Sequence, residues 1–245
     1  MTLDATQTVR EIVRNNPAAV GVFETAGIDY CCGGGRSLGE ACEKANLPLD
    51  QFLAKLSESL RVPPIKEDCH WLTCPLSELA DHIVEVHHAY VRRELPVLAA
   101  LAEKVNLRHG HKYPKLGQLR DLVESLQQEL FAHLTKEERV LFPALKSMEE
   151  QASQGMSFIP AFFGDLINPI RHMMEEHDDA GELLKGIRAA TNNYQAPEDA
   201  CFSFQTLYNG LKAFEQDLHR HIHLENNILF PRSLEFEKGR SGKAA

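Results

Sequence analysis

The sequence predicts an all-α chain, an up-down four-helix bundle preceded by a small N-terminal helical domain. Three observations predict it. The β-branched alternation that marks strands is absent. Four long amphipathic patterns, roughly 76–106, 114–148, 158–192 and 198–235, follow one another across short connections, as in a bundle. One segment also recurs: HLTKEERVLFP from His133 and HIHLENNILFP from His221 share the pattern HxxxExxxLFP, which a tandem repeat of helical hairpins explains.

Residues 1–62 read as the small domain. In NNPAAVGVFETAG, Asn16 is expected as a helix N-cap, Pro17 at the first helical position and Gly27 as the stop. Ser37 stands three residues before Glu40, the signature of a capping box. PLDQFLAKLSESL reads as a further amphipathic helix. Between helices lies DYCCGGG, residues 29–35, whose three glycines cannot belong to a helix or strand interior. Two consecutive prolines and mixed polarity mark 63–75 as a linker, and 76–238 as the bundle.

Composition bounds the function. Apolar residues make up 43% and charged residues 25%, enough for a core without a disulfide framework. The net charge of −9 disfavours nucleic acid and anionic membrane as partners. The N-terminus lacks a basic region followed by an apolar run, so no signal peptide is expected. No apolar stretch is long enough to span a membrane. The 6 cysteines then read as reduced thiols of a cytoplasmic protein, and the unusual count is 12 histidines.

Positions i and i+4 share a helix face, so His133 lies beside Glu137 and His221 beside Glu225. Leu130, Leu134, Val140 and Leu141 lie on the first stripe, and Leu211, Phe214, Leu218, Ile222, Ile228 and Leu229 on the second. Both pairs therefore point into the bundle. A buried carboxylate needs a cation, a metal or a proton. One His–Glu pair reads best as a core hydrogen bond. Two matching pairs on repeated helices read as a carboxylate-bridged dimetal site. Further nitrogen ligands are expected from the other two helices. His177 faces the core among Ile170, Met173, Met174 and Leu184, whereas His172 points elsewhere. On the first helix, periodicity favours His87 and the repeat spacing favours His88; the reading takes His88. His219 and His223 are expected to be solvated, and His82, His109 and His111 to sit on the surface or in turns. The set His88, His133, Glu137, His177, His221 and Glu225 contains no thiolate, which suits Fe or Mn, with Zn also allowed. A metal with an open position can take a small diatomic such as O2 or NO.

At this point the chain resembles a known group. Residues of the C-terminal bundle resemble a hemerythrin-like domain. Together with DYCCGG, the HxxxExxxLFP segment, HDDAGELL from His177 and HxxxENNxLFP resemble the repair-of-iron-centres (RIC) di-iron family across nearly the whole chain. The resemblance implies two iron ions per chain, bridged by Glu137, Glu225 and an oxo group. It places His88 and His133 on one half and His177 and His221 on the other. It also implies restoration of iron–sulfur clusters damaged by nitrosative or oxidative stress, with damaged iron–sulfur proteins and an electron donor as partners. Iron donation and NO reductase activity are both compatible with the motif. Oxygen-carrying hemerythrins resemble this architecture but place a fifth histidine where this chain has Gly181, and a carboxylate where it has Asn226. That difference points away from reversible oxygen transport.

Cys31 and Cys32 are the expected redox or iron-transfer thiols, on a glycine-rich loop whose amides would stabilise a thiolate at the mouth of the bundle. Cys69 and Cys74 sit in the linker at a spacing unlike a zinc site, and Cys42 and Cys201 are expected as small buried residues. Glu129, one turn before His133, would either line a polar path to the metals or pair with a basic residue. A second reading is an NO- or O2-sensing module read through the N-terminal domain, and a third is ferroxidase or storage chemistry. The linker is compatible with a homodimer.

Overall fold

Two capping boxes set the frame of the N-terminal region. Thr8 accepts from the backbone of Glu11 while Glu11 accepts from the backbone of Thr8, and Ser37 and Glu40 do the same. The computed structural model describes residues 3–16, 18–31, 33–59, 70–157, 159 and 161–241. Here α1 is Val9–Asn15, α2 Ala19–Ala26, α3 Leu38–Lys44 and α4 Leu49–Ser59. Asn16 is not an N-cap but the C-cap of α1: the Thr8 box starts a helix upstream, and Asn16 ends it. Pro17 lies outside the described residues. Gly27 stops α2 as expected, in the left-handed region at φ 69°, where a side chain would be strained.

Four long helices follow. α5 runs through Leu76–His82, a π-helical stretch Ile83–His88, and Ala89–His109. α6 comprises Lys115–Lys136, a π-helical stretch Glu137–Leu141, and Phe142–Ser153. α7 is Ile167–Ala190. α8 comprises Phe202–His223, a π-helical stretch Leu224–Leu229, and Phe230–Ser241. α7 starts later than the expected 158, because Ala161 and Gly164 close a turn, with Gly164 at φ 83°. Most of the expected linker lies outside the described residues, which resume at His70. No strand forms among the described residues, and no helix among them is long and apolar enough to cross a membrane.

α5 packs along both α6 and α8, and α6 packs along α7. The bodies of α7 and α8 make little direct contact. One link between them is a fork from Arg188 to Glu215, at 3.2 and 2.7 Å. At this seam sits the loop from the N-terminal region, beside a cavity of about 680 Å³ bordered by Cys31, Gly181, Tyr194 and Lys212.

The core is in two parts. One joins the N-terminal helices, through Val9, Phe23, Leu38 and Leu56, to the bundle around Leu95, Leu126, Leu184 and Phe214. The other holds Trp71, Leu79, Leu145, Ile170, Leu229 and Phe230. A layer of buried histidines and glutamates lies between the two in chain order on every long helix. Burying those side chains costs free energy that the apolar clusters offset.

Candidate metal centre

All three π-helical stretches fall at this layer. His88 closes the first, Glu137 opens the second, and Glu225 is in the third. A π turn carries an extra residue in the helical ladder and is found frequently at functional sites. Here it re-aims core positions away from the regular apolar stripe.

The structure brings all six expected side chains together. His88, His221, Glu137 and Glu225 form one group and His133, His177, Glu137 and Glu225 a second, the donor atoms of each lying within 4.8 Å of one another. The pairing differs from the expected halves, His88 with His133 and His177 with His221: each group takes one histidine from each hairpin, because α5 packs on α8 and α6 on α7, and both glutamates are common to the two. His88 Nε2 faces His221 Nε2 at 3.2 Å, and His133 Nε2 faces His177 Nε2 at 3.0 Å. Glu137 Oε2 lies 3.4 Å from His88 and 3.3 Å from His133, and Glu225 lies 3.0 Å from His221 and 3.1 Å from His177. Both carboxylates are 0% exposed. Neither oxygen of Glu137 receives an aligned hydrogen bond, and neither does Glu225 Oε2.

The outer ring nitrogens explain the orientation. His88 Nδ1 meets Glu138 at 2.9 Å, His133 Nδ1 meets Glu176 at 2.9 Å, and His177 Nδ1 meets Asn226 Oδ1 at 2.9 Å. Each acceptor holds a proton on Nδ1 and leaves Nε2 turned into the cluster, the usual support of a metal-bound imidazole. His221 Nδ1 has no such partner; its ring stacks on His87 at 5.7 Å. Sequence reasoning missed Glu138, Glu176 and Asn226. A glutamate beside a ligand in EE was a signal for the first, but the helix contacts that place Glu176 and Asn226 are not encoded locally.

Charge follows geometry. Burial alone would lower His88 and His133, but the carboxylates overcome it. The close carboxylates of Glu137 and Glu225 raise His88 to about 9. Glu137, Glu176 and Glu225 raise His133 to about 10. Burial opposes ionisation of Glu137 and Glu225, yet the facing histidines hold both below the ordinary carboxylate value. The bond from His133 takes Glu176 down to about 2, against burial and with help from Lys136. Burial pushes His221 down, against Glu225. Protons on His88 and His133 therefore balance the two carboxylates, and metal cations would replace those protons. Opposed Nε2 atoms, buried carboxylate oxygens without aligned donors, and a nitrogen–oxygen donor set fit Fe, Mn or Zn.

Other expectations fare unevenly. His87 is also buried but turns its Nδ1 to Asp217 at 3.1 Å, outside the cluster. His223 is buried rather than solvated: Tyr30 packs against it and Asn227 meets its Nδ1 at 2.8 Å, because the N-terminal region covers this face of α8. His219 is likewise partly covered, against Tyr30. His82 packs on Trp71 with ring centroids 4.2 Å apart. Cys42 is buried, but Cys201 is exposed, since it precedes α8 instead of lying within it. Glu129 is exposed, with Asp179 and Glu176 as the charges acting on it, so the basic partner is not found. Cys32 and Cys69 lie outside the described residues. Cys31 is buried, and its sulfur lies 3.4 Å from Asp29 Oδ1, an acceptor for the S–H. The glycines also allow close approach of the backbone. Gly34 approaches the Tyr30 carbonyl so closely that a Cβ would lie 2.7 Å from it, and its own carbonyl accepts from Arg10 at 2.8 Å.

Known proteins agree with this layout. Residues 79–233 match the hemerythrin HHE cation binding domain, and residues 5–60 match a domain of unknown function, DUF542. The iron-sulfur cluster repair protein YtfE of Citrobacter koseri is 39% identical over 228 residues, covering 93% of this chain and 96% of that protein. YtfE of an Enterobacter species is 40% identical over the same shares, and that of Escherichia coli O81 is 39% identical. The chain belongs to the iron–sulfur cluster repair (RIC) family. As in that family, a hemerythrin-type cation-binding bundle follows the N-terminal domain, and its buried His/Glu clusters suit iron.

Proposed function

We propose that this chain is a non-haem di-iron protein that repairs iron–sulfur clusters damaged by nitrosative or oxidative stress. In this reading 1–62 is the small helical domain carrying the DYCCGGG loop, 63–75 a linker and 76–238 the iron-binding bundle. Two irons would be held by His88 with His221 and by His133 with His177, with Glu137 and Glu225 available to both. The observation that carries it is the pair of buried carboxylates shared between two sets of opposed Nε2 atoms. Such a carboxylate-bridged pair supplies redox chemistry and open positions for a small diatomic such as NO or O2.

The chain's own residues set the terms. Glu138, Glu176 and Asn226 fix the proton on the outer ring nitrogen, so that each Nε2 presents a lone pair. The apolar clusters on either side keep bulk water from the carboxylates. Glu225 does the work of a second bridge, and Gly181 removes a ring from the third helix, so one metal has fewer protein nitrogens than in an oxygen carrier. Fewer ligands suit release of iron to a damaged cluster, or reaction with NO, better than reversible oxygen carriage. Damaged iron–sulfur proteins and an electron donor are the expected partners, in the cytoplasm.

The test begins with iron per chain and the absorption spectrum of the purified protein. Two irons with near-ultraviolet bands of an oxo-bridged pair are expected, and both should vanish in Glu225→Ala. Repair of a damaged cluster with loss of bound iron would identify donation, and N2O from added NO would identify reduction. Iron binding that survives Glu225→Ala and His133→Ala would sink the reading.

A further inference from the structure

We propose that Asn226 is a positioning residue that ties the cysteine loop to a metal ligand, so that iron in the His133/His177 cluster and the docked loop hold one another in place. The inference rests on the di-iron reading and goes beyond it, because it assigns a role to an asparagine outside the ligand set.

Asn226 stands where three parts of the chain meet: α7 through His177, its own helix α8, and the loop through Cys31. It is 2% exposed, so its amide cannot turn to solvent for partners. Its Oδ1 accepts from His177 Nδ1 at 2.9 Å, and its Nδ2 donates to the Cys31 carbonyl at 3.4 Å. The two bonds fix the amide's orientation. Reversed, it would set Oδ1 against the Cys31 carbonyl and leave the His177 N–H facing an NH2 group. One rigid amide therefore reads both the ring and the loop.

The second bond is long and weak by itself. Its neighbour supplies the grip. Asn227 Nδ2 donates to the Tyr30 carbonyl at 2.9 Å, and Asn227 Oδ1 accepts from Arg10 Nε at 2.7 Å. Consecutive asparagines of the π-helical stretch thus hold consecutive carbonyls of the loop, but only Asn226 also touches a ligand. The seam raises the consequence of this contact. Away from this layer the bodies of α7 and α8 make little direct contact, and the cavity borders the loop on one side. A ring that shifts on α7 moves Asn226, and Asn226 moves the carbonyl of Cys31.

The experiment is amide hydrogen exchange of residues 28–36 in the full chain, iron-free and iron-loaded, with iron content measured on the same samples. In the unaltered chain iron should slow exchange on the order of tenfold, the usual range of site coupling. Asn227→Ala should speed exchange in both forms and keep the ratio. Asn226→Asp keeps an acceptor for His177 but loses the donor to Cys31, so the ratio should fall to about one while iron stays bound. Asn226→Ala, with iron raised until it is fully loaded because loss of the acceptor should weaken binding roughly 10- to 100-fold, should remove the ratio too, and serves if the aspartate variant fails to fold. A ratio that persists in both Asn226 variants with iron bound overturns the inference. So does bound iron that leaves exchange in the unaltered chain unchanged, although the di-iron reading then stands. A chain that takes up no iron overturns both.

Discussion

The two histidine clusters share both glutamates and differ in what stands behind them. In the His133/His177 cluster each outer nitrogen has an acceptor, a carboxylate on one ring and the buried Asn226 amide on the other. In the His88/His221 cluster only His88 has one, and His221 relies on stacking against His87. Equal ligands with unequal support make two sites of unequal hold. The cluster with complete support is also the one wired to the cysteine loop, so the less supported one is where iron is expected to be more labile.

The largest effect should come from breaking what the clusters share. Glu137→Gln or Glu225→Gln removes a bridging charge from both, and iron per chain should fall toward zero by elemental analysis; retention of one full iron would show that the carboxylates are not common to the two. Next come the outer acceptors. Glu176→Gln should weaken iron binding by roughly 10- to 100-fold in the His133/His177 cluster alone, and Glu138→Gln similarly in the other. Chelator competition resolves this as one altered phase of two, and a uniform change in both phases would dissolve the distinction between clusters.

Protonation gives a smaller and broader effect. The folded iron-free chain holds protons on His88 and His133 more tightly than the unfolded chain, with values raised to about 9 and about 10 from the ordinary 6.5. Raised histidines add stability that is complete below about 6.5 and is lost as pH rises through 9 to 10. The iron-free melting temperature should therefore fall over that window, and iron loading should flatten the slope because bound imidazoles cannot hold those protons. A slope unchanged by iron would place the protons elsewhere. The smallest effect belongs to the rim. Arg92 pairs with Glu138 and Lys136 with Glu176, both across partly exposed surfaces. Arg92→Ala and Lys136→Ala should each change stability by less than about 1 kcal/mol in chemical denaturation.

How much of this was legible depended on how local each signal was. His133 with Glu137, and His221 with Glu225, are one turn apart, so the sequence shows their shared face, and the repeat shows that there are two such pairs. His88 was harder for a physical reason. Periodicity assumes a regular α-helix, and Ile83–His88 is π-helical, so the register slips and both His87 and His88 end up buried. Glu176 and Asn226 were illegible because each meets a ring on another helix. His223 read as solvated because its burial comes from Tyr30, nearly two hundred positions earlier in the chain. The cysteine loop was legible as a loop, but not the use of its glycines: Gly34 serves backbone closeness to Tyr30.

The π turns also limit the lengths that the long helices can have. Each π turn takes in one residue more than a regular turn and absorbs it locally, whereas a residue gained or lost in the regular stretches would rotate everything beyond by about 100°. Deleting one residue from a regular stretch such as 115–136 or 202–223 would leave a helix whose far half presents the wrong face to the second apolar cluster. Substitution can adjust this centre gradually, but a change in chain length cannot. Insertions and deletions in relatives should therefore gather in the connections, such as 154–166 and 191–201, while the spacing between apolar clusters within each long helix stays fixed.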